Sequence, residues 1–278
     1  MAGLAIGHGA SRTGARPGPV AVPATGRGAP APNARLADRE DLTPTVARFE
    51  VETDEAIERF EPGQYFALGL TVDGRPLLRP YSTASLPGTG RRVEFLIRLV
   101  AGGALTPRLW ELRVGDRLWI GRPKGLFRLR AGDPRTHLFV ATGTGLAPLV
   151  SMAESLARAG RAGPSVAAAR AVVVHGVSYA DELAYRDRLE RLAASTDRVR
   201  YVPVVSRPGE AANVSWAGLT GRIDARLAEV CEAHGLDPTG TVAYLCGNPE
   251  MIASAERVLA GRGFAGDAIV TEHYWPLA

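Results

Sequence analysis

The chain has 278 residues, 46% hydrophobic and 22% charged, a composition that suits a folded protein of about two domains and excludes a disordered or fibrous chain. Its net charge of +4 equals the charge of residues 1–37, which hold Arg12, Arg16, Arg27 and Arg35 and no acid. The remainder is therefore close to neutral, which speaks against a nucleic-acid surface, although a local basic patch for an acidic partner stays open. Lys124 is the only lysine, as expected of a GC-rich coding sequence, so no single arginine carries much weight on its own.

Residues 1–35 are rich in Gly, Ala and Pro without apolar periodicity, and are read as a dispensable tail. They lack the continuous apolar core of a signal peptide. From 36 to about 131 the pattern is that of short strands, at 45–51, 63–70, 78–84, 93–100 and 117–121, bounded by Gly, Pro and Asp, with one short helix at 106–112. Thr106, or a residue just before it, is expected to cap that helix ahead of Pro107. So many short strands predict a closed or sandwich-like β domain.

After residue 136 the period changes. Strands are predicted at 137–141, 171–175, 201–206, 242–246 and 269–272, and helices at 147–159, 181–192, 222–234 and 249–259. This alternation predicts a doubly wound parallel sheet whose ligands lie beyond the carboxyl ends of its strands. Residues 142–145, 176–178, 206–207 and 247–249 should then line one crevice. The uncharged stretch 136–153 is long enough to consider as a membrane span, but Gly143, Gly145 and Pro148 interrupt it, and strand, turn and helix is the better reading.

Two cysteines, Cys231 and Cys246, cannot hold a four-cysteine iron–sulfur centre, and they set a reduced, cytoplasmic compartment as the default. No histidine pair has metal-ligand spacing, so no metal is expected. His137 and His234 are read as surface or cap positions.

Four motifs follow one another. Arg79-Pro80-Tyr81-Ser82-Thr83-Ala84-Ser85 offers a guanidinium fork for phosphate, an aromatic face and a hydroxyl. Ala104-Leu105-Thr106-Pro107-Arg108-Leu109 starts a helix, whose first amides can be capped and can also bind a pyrophosphate, since neither excludes the other. Ala141-Thr142-Gly143-Thr144-Gly145-Leu146-Ala147-Pro148 is a glycine turn after a buried strand, with Pro148 in the place of a third glycine. Tyr244-Leu245-Cys246-Gly247-Asn248-Pro249 brings Cys246 to a strand's end, either facing the crevice or as an ordinary buried thiol.

Each motif is weak alone, but their order, together with His175-Gly176, the VSRP and LTGRI segments and a terminal TEHYW, resembles the ferredoxin–NADP reductase family, specifically the bacterial ferredoxin/flavodoxin reductases. The resemblance runs from about Leu36 to Trp275. It implies an antiparallel β-barrel FAD-binding domain at 36–131 followed by an α/β NADP-binding domain at 132–278. Arg79, Tyr81 and Ser82 would bind FAD, with Ile97, Arg98 and Leu99 and the loop Gly103, Ala104, Leu105 and Thr106 also meeting it. Gly143, Thr144 and Gly145 would lie between flavin and nicotinamide, and Cys246 and Gly247 would approach the nicotinamide. Glu272, Tyr274 and Trp275 match the near-terminal acid and aromatics. Arg207 and Arg222 match positions that hold the adenosine-ribose phosphate, with Ser206 in the same cofactor set. Ser82, Cys246 and Glu272 are the residues expected to shape the hydride contact.

The implied activity is electron transfer between NADPH and a separate ferredoxin or flavodoxin, by a protein expected to be a monomer with no membrane association. The alternative is an NAD(P)H-flavin reductase component serving an oxygenase or another electron-transfer chain. Two departures stand out. Ser178 occupies a place where the family often has arginine, and Pro276-Leu277-Ala278 extends the chain past the aromatic pair.

Overall fold

A computed structural model describes residues 31–161 and 169–274. The calls on residues 1–30 and on Trp275 lie outside the described residues.

The first half is built from β1 (Ala34–Thr43), β2 (Val46–Thr53), β3 (Tyr65–Val72), β4 (Arg75–Ser82), β5 (Arg92–Arg98), the short helix α1 (Thr106–Glu111) and β6 (Arg117–Ile120). The strands pair antiparallel in the order β4-β3-β6-β1-β2-β5. A bridge between Thr83 and Phe95, with the Ala84 amide bonded to the Glu94 carbonyl, brings the two edge strands together and closes the sheet into a barrel. Its core holds Leu36, Phe49, Phe66, Leu68, Phe95, Ile97, Leu105 and Leu109.

β1 escaped individual identification because it reads as charge: Asp38, Arg39, Glu40 and Asp41 follow only two buried residues, Ala34 and Leu36. It is held by backbone pairing along β2 rather than by an apolar stripe. Residues 34 and 35, read above as part of the tail, are therefore the start of β1. Ala34 is buried, and the Asn33 side chain both donates to the Ile120 carbonyl (2.9 Å) and accepts from its amide (2.8 Å).

The second half runs β7 (Thr136–Thr142), α2 (Leu146–Arg161), β8 (Ala171–Val177), α3 (Arg186–Ser195), β9 (Val199–Val205), β10 (Leu219–Thr220), α4 (Ile223–Ala233), β11 (Thr241–Gly247), α5 (Pro249–Gly261) and β12 (Ile269–His273). All strands are parallel, in the order β10-β9-β8-β7-β11-β12, with apolar clusters on both faces. The uncharged stretch 136–153 is β7, a tight turn and the first half of α2. No helix among the described residues is long and apolar enough to cross a membrane.

Two expectations are corrected, and one short strand was not anticipated. The helix predicted over 181–192 is broken: a 3-10 turn at Ala180–Glu182 precedes Tyr185 in a left-handed conformation (φ 59°), and α3 starts only at Arg186. The Glu182 carboxylate causes the break by accepting the amides of Ser178 and Tyr179 (3.1 and 3.2 Å), which folds the chain back before the helix. His137 is not at the surface but fully buried, its ring stacked on Tyr244 with centroids 5.8 Å apart. The two-residue β10 was too short for any periodicity to reveal.

The two halves meet along a continuous seam. Val46, Ala84 and Leu96 of the barrel pack on Ala147 and Ala184, and the buried Ser151 hydroxyl donates to the Ser85 carbonyl (2.6 Å).

Candidate functional site

The mouth of the seam lies at the carboxyl ends of β7, β8, β9 and β11, where the loops carrying residues 142–145, Ser178, Arg207 and Asn248 leave the sheet. Two of these turns interlock. A Cβ built on Gly145 would stand 2.5 Å from the Cys246 carbonyl oxygen, so only glycine fits there. Gly247 sits at φ 127°, and a Cβ there would stand 2.5 Å from the Thr142 hydroxyl. The Asn248 amide donates to that same hydroxyl (3.0 Å), and the Asn248 side chain caps α5 by accepting from the Glu250 amide, with Pro249 in the first turn. The TGTG and CGNP turns are thus one unit.

Opposite them stands the end of β4. The Ser82 hydroxyl donates to Glu272 Oε2 at 2.9 Å, a bond between barrel and parallel sheet across 190 residues. Burial pushes the Glu272 carboxyl up to about 7, and the Ser82 bond offsets part of that rise. Cys246 pairs in register with Glu272 on the neighbouring strand. Its thiol is fully buried and touches the Tyr274 hydroxyl, and burial, with Glu272 adding to it, keeps it well above the usual thiol range. Of the two readings of Cys246, the structure shows the buried thiol: Tyr274 packs over it, and its pKa lies well above the usual thiol range. Tyr274 is anchored through its amide to the Gly247 carbonyl (2.9 Å). Behind the turn, buried His175 lies 3.2 Å from the Gly143 carbonyl, and burial lowers it to about 4, so it is neutral at pH 7.

The other predicted residues divide. Arg79 is half-buried at the barrel rim, and among the described residues its guanidinium makes one hydrogen bond, to the Leu78 carbonyl (2.8 Å), which leaves most of its fork open to an anion. Tyr81 is half-buried beside it. Arg98 reaches across the seam to Glu182 at 3.5 Å. Leu99 continues β5 through its amide to the Thr45 carbonyl (2.7 Å), and Gly103 forms a turn onto the Val100 carbonyl.

Ile97 and Leu105 pack their side chains into the barrel core. Thr106 is not the side-chain cap of α1: its hydroxyl accepts from the Val100 amide (2.9 Å) and donates to the Val100 carbonyl (3.2 Å), closing the loop that carries exposed Ala104. Ser206, through its amide to the Val177 carbonyl, leads into exposed Arg207. Arg222 occupies the N-cap position of α4 and pairs with Asp224 at 3.2 Å.

Sequence reasoning missed Glu182 and Asn213, which shape the loops after β8 and β9. Asn213 is 2% exposed and holds three backbone groups of these loops. No local pattern marks it, since a lone Asn in a polar loop reads as a surface residue.

The donor set fits a flavin dinucleotide: a cationic fork, an aromatic face, and a hydroxyl bonded to a carboxyl that keeps its proton near neutrality. The glycine turns at the ends of a parallel sheet fit a nicotinamide dinucleotide.

Comparison with known proteins agrees. The family model for the oxidoreductase FAD-binding domain matches residues 33–129, and that for the oxidoreductase NAD-binding domain matches 139–257. Ferredoxin–NADP reductase B of Sorangium cellulosum (strain So ce56) is 36% identical over 233 residues, covering 82% of this chain and 91% of that protein. The phenol hydroxylase P5 protein of Acinetobacter pittii (strain PHEA-2) is 33% identical over 245 residues, 87% of this chain and 65% of that one. Among solved structures, a ferredoxin NADP+ reductase from Neisseria gonorrhoeae with bound FAD and NADP superposes with a TM-score of 0.74 at 25% identity, over 87% of this chain and 98% of that one. The chain thus belongs to the ferredoxin–NADP reductase family and is an oxidoreductase that binds FAD and a nicotinamide dinucleotide.

Proposed function

We propose that the protein is a ferredoxin/flavodoxin–NADP reductase, working as a monomer in a reducing cytoplasm with a separate ferredoxin or flavodoxin as its partner. The observation that carries this reading is the Ser82–Glu272 bond, which brings the end of the RPYSTAS strand against the glycine turns of the parallel sheet. Bound FAD supplies the chemistry that links a two-electron hydride donor to one-electron carriers.

The protein's part is positional. Arg79 holds flavin phosphate, with Tyr81 against the ring system and Arg98 and the loop at Gly103 and Ala104 beside it. Gly143, Thr144, Gly145 and Gly247 let backbone approach the nicotinamide closely. Ser206, Arg207 and Arg222 receive the adenosine ribose and its 2′-phosphate. Glu272, pushed up to about 7, holds or gives a proton beside the flavin, and Ser82 orients it. Cys246, as an uncharged thiol under Tyr274, keeps water from the inner wall.

The 278 residues contain two cysteines, too few for a four-cysteine cluster within them. Ser178 favours a second reading, a reductase component serving an oxygenase with weaker NADPH preference. The test is reduction of purified ferredoxin and flavodoxin by the FAD-loaded enzyme with NADPH and with NADH. Rapid NADPH-dependent reduction of either carrier is expected. Dye reduction without carrier reduction, or with NADH preferred, would favour the second reading.

A further inference from the structure

Three neighbouring strands end level with one another. Val177 of β8 pairs with Val205 of β9, and Val205 pairs with Thr220 of β10. Counting two residues beyond that level on each strand places Tyr179, Arg207 and Arg222 side by side past the sheet edge. The two arginines are the cations assigned above to the ribose 2′-phosphate.

Their environments differ. Arg222 already has Asp224 as an ion partner, at 3.2 Å. Arg207 has no acid within ion-pair distance among the described residues; instead its Nη1 donates to the Tyr179 hydroxyl at 2.8 Å, and its guanidinium carbon lies 5.3 Å from the centroid of the same ring. Tyr179 is itself held firmly. Its amide donates to Glu182 Oε2 (3.2 Å), and buried Asn213 accepts from the Ala180 amide (2.8 Å) while donating to the carbonyls of Ser178 (3.0 Å) and Arg207 (2.8 Å). The backbone on either side of the ring is therefore tied to the backbone of the arginine it contacts.

A free arginine side chain on an exposed loop carries rotamer entropy that must be lost when it grips a phosphate. A tyrosine that accepts one of five N–H bonds, and offers its ring face to the cation, removes part of that loss in advance while leaving donors for the ligand. It adds no negative charge, so the attraction of Arg207 for a dianionic phosphate is undiminished. With serine at position 178, Tyr179 is the side chain at this level able to do this.

We propose that Tyr179 is a specificity-determining positioning residue: it pre-orders Arg207 for the 2′-phosphate and so sets the preference for NADPH over NADH. This rests on the assignment of Arg207 to that phosphate. The test uses the FAD-loaded enzyme and titrates 2′,5′-ADP and 5′-AMP by calorimetry, alongside steady-state kinetics with NADPH and NADH. Tyr179→Phe keeps the ring and removes the hydroxyl; it should raise the Kd of 2′,5′-ADP and the KM for NADPH on the order of 5-fold, with kcat unchanged. Tyr179→Leu should raise both further. Binding of 5′-AMP and KM for NADH should stay as in wild type for both variants.

Equal weakening of 5′-AMP and 2′,5′-ADP would mean that the ring packs on adenine, and would overturn the proposal. So would unchanged binding in both variants while Arg207→Ala loses its discrimination. If Arg207→Ala itself keeps full preference for 2′,5′-ADP, the assignment of Arg207 is wrong and Tyr179 falls with it.

Discussion

Glu272 is a carboxyl whose surroundings favour its neutral form, and this has a thermodynamic consequence. An unfolded glutamate loses its proton near 4.5, whereas the folded one keeps it to about 7. Between those values the folded state binds more protons than the unfolded state, so stability falls as pH rises from 4.5 to 7 and levels off above. The contribution is about 3 kcal/mol over the window. Glu272→Gln should flatten that slope, as read from urea unfolding at pH 5 and pH 8; an unchanged slope would place the titrating group elsewhere. The same variant should also lose any limb near pH 7 in the kcat profile. At the phosphate end, hydrogen bonds to a charged group are worth about 1.5–3 kcal/mol. Arg222→Ala should therefore lower kcat/KM for NADPH roughly 10–100-fold and leave NADH turnover nearly unchanged. Equal losses with both cofactors would show that Arg222 supports α4 instead of reading the phosphate.

The interlocked turns make a prediction at the scale of elements. The backbones of β7 and β11 approach so closely after their last paired residues that Gly145 has no room for a methyl group. The obstacle is a carbonyl of the opposite turn, not the end of a flexible side chain. Gly145→Ala should therefore cost about 1–3 kcal/mol by overpacking. It should also separate the TGTG and CGNP turns, raising KM for the nicotinamide substrate. Thermal unfolding and steady-state kinetics measure the two effects; wild-type values for both would mean the turns can part without cost. Much of this unit was legible beforehand, because Asn248 and Pro249 carry an N-terminal capping signature and the glycines mark the turns. The break before α3 was not legible. It depends on the Glu182 carboxylate folding back onto two amides, and 181–192 viewed alone is a passable amphipathic helix.

For the whole molecule, the decisive feature is that barrel and parallel sheet are fixed to each other. Away from the site, Arg188 of α3 donates to Glu94 of β5 (2.6 Å) and to both oxygens of Glu154 of α2 (2.6 and 2.8 Å), while the Tyr185 hydroxyl also donates to Glu94 (2.8 Å). All three charged side chains are largely withdrawn from solvent. Removing the cation leaves two partly buried carboxylates without it, which costs about 3 kcal/mol. Arg188→Leu should lose that stability, and, because the pair with Glu94 spans the seam, should lower kcat with NADPH more than it alters nucleotide affinity. Unfolding free energies and a split of kcat from KM decide this, and unchanged kcat would show that the seam is set by its apolar contacts. The tail gives the opposite expectation. Deleting residues 1–30 should leave NADPH-dependent dye reduction within about 2-fold of wild type. Cutting four residues further would remove Asn33 and Ala34 and the bonds to Ile120.

What the chain by itself determined is whatever is written within a dozen neighbouring residues, together with the order of such segments along the chain. That includes the change from short strands to alternating strands and helices, the caps and glycine turns, and an order of motifs that identified the family and both cofactors. Periodicity and turn chemistry are local, so they survive without a structure. What only the tertiary structure decided is what depends on burial and on distant partners. The charged strand β1 became a strand because β2 pairs with it. His137 and Cys246 went inside because Tyr244 and Tyr274 cover them. Ile97 and Leu105 turned into the barrel although their motif adjoins the site. Ser82 and Glu272 meet across 190 residues, and burial at that junction raises the carboxyl to about 7 even though the Ser82 bond itself lowers it. The desolvation responsible is a property of the packed interface, and no stretch of sequence contains it.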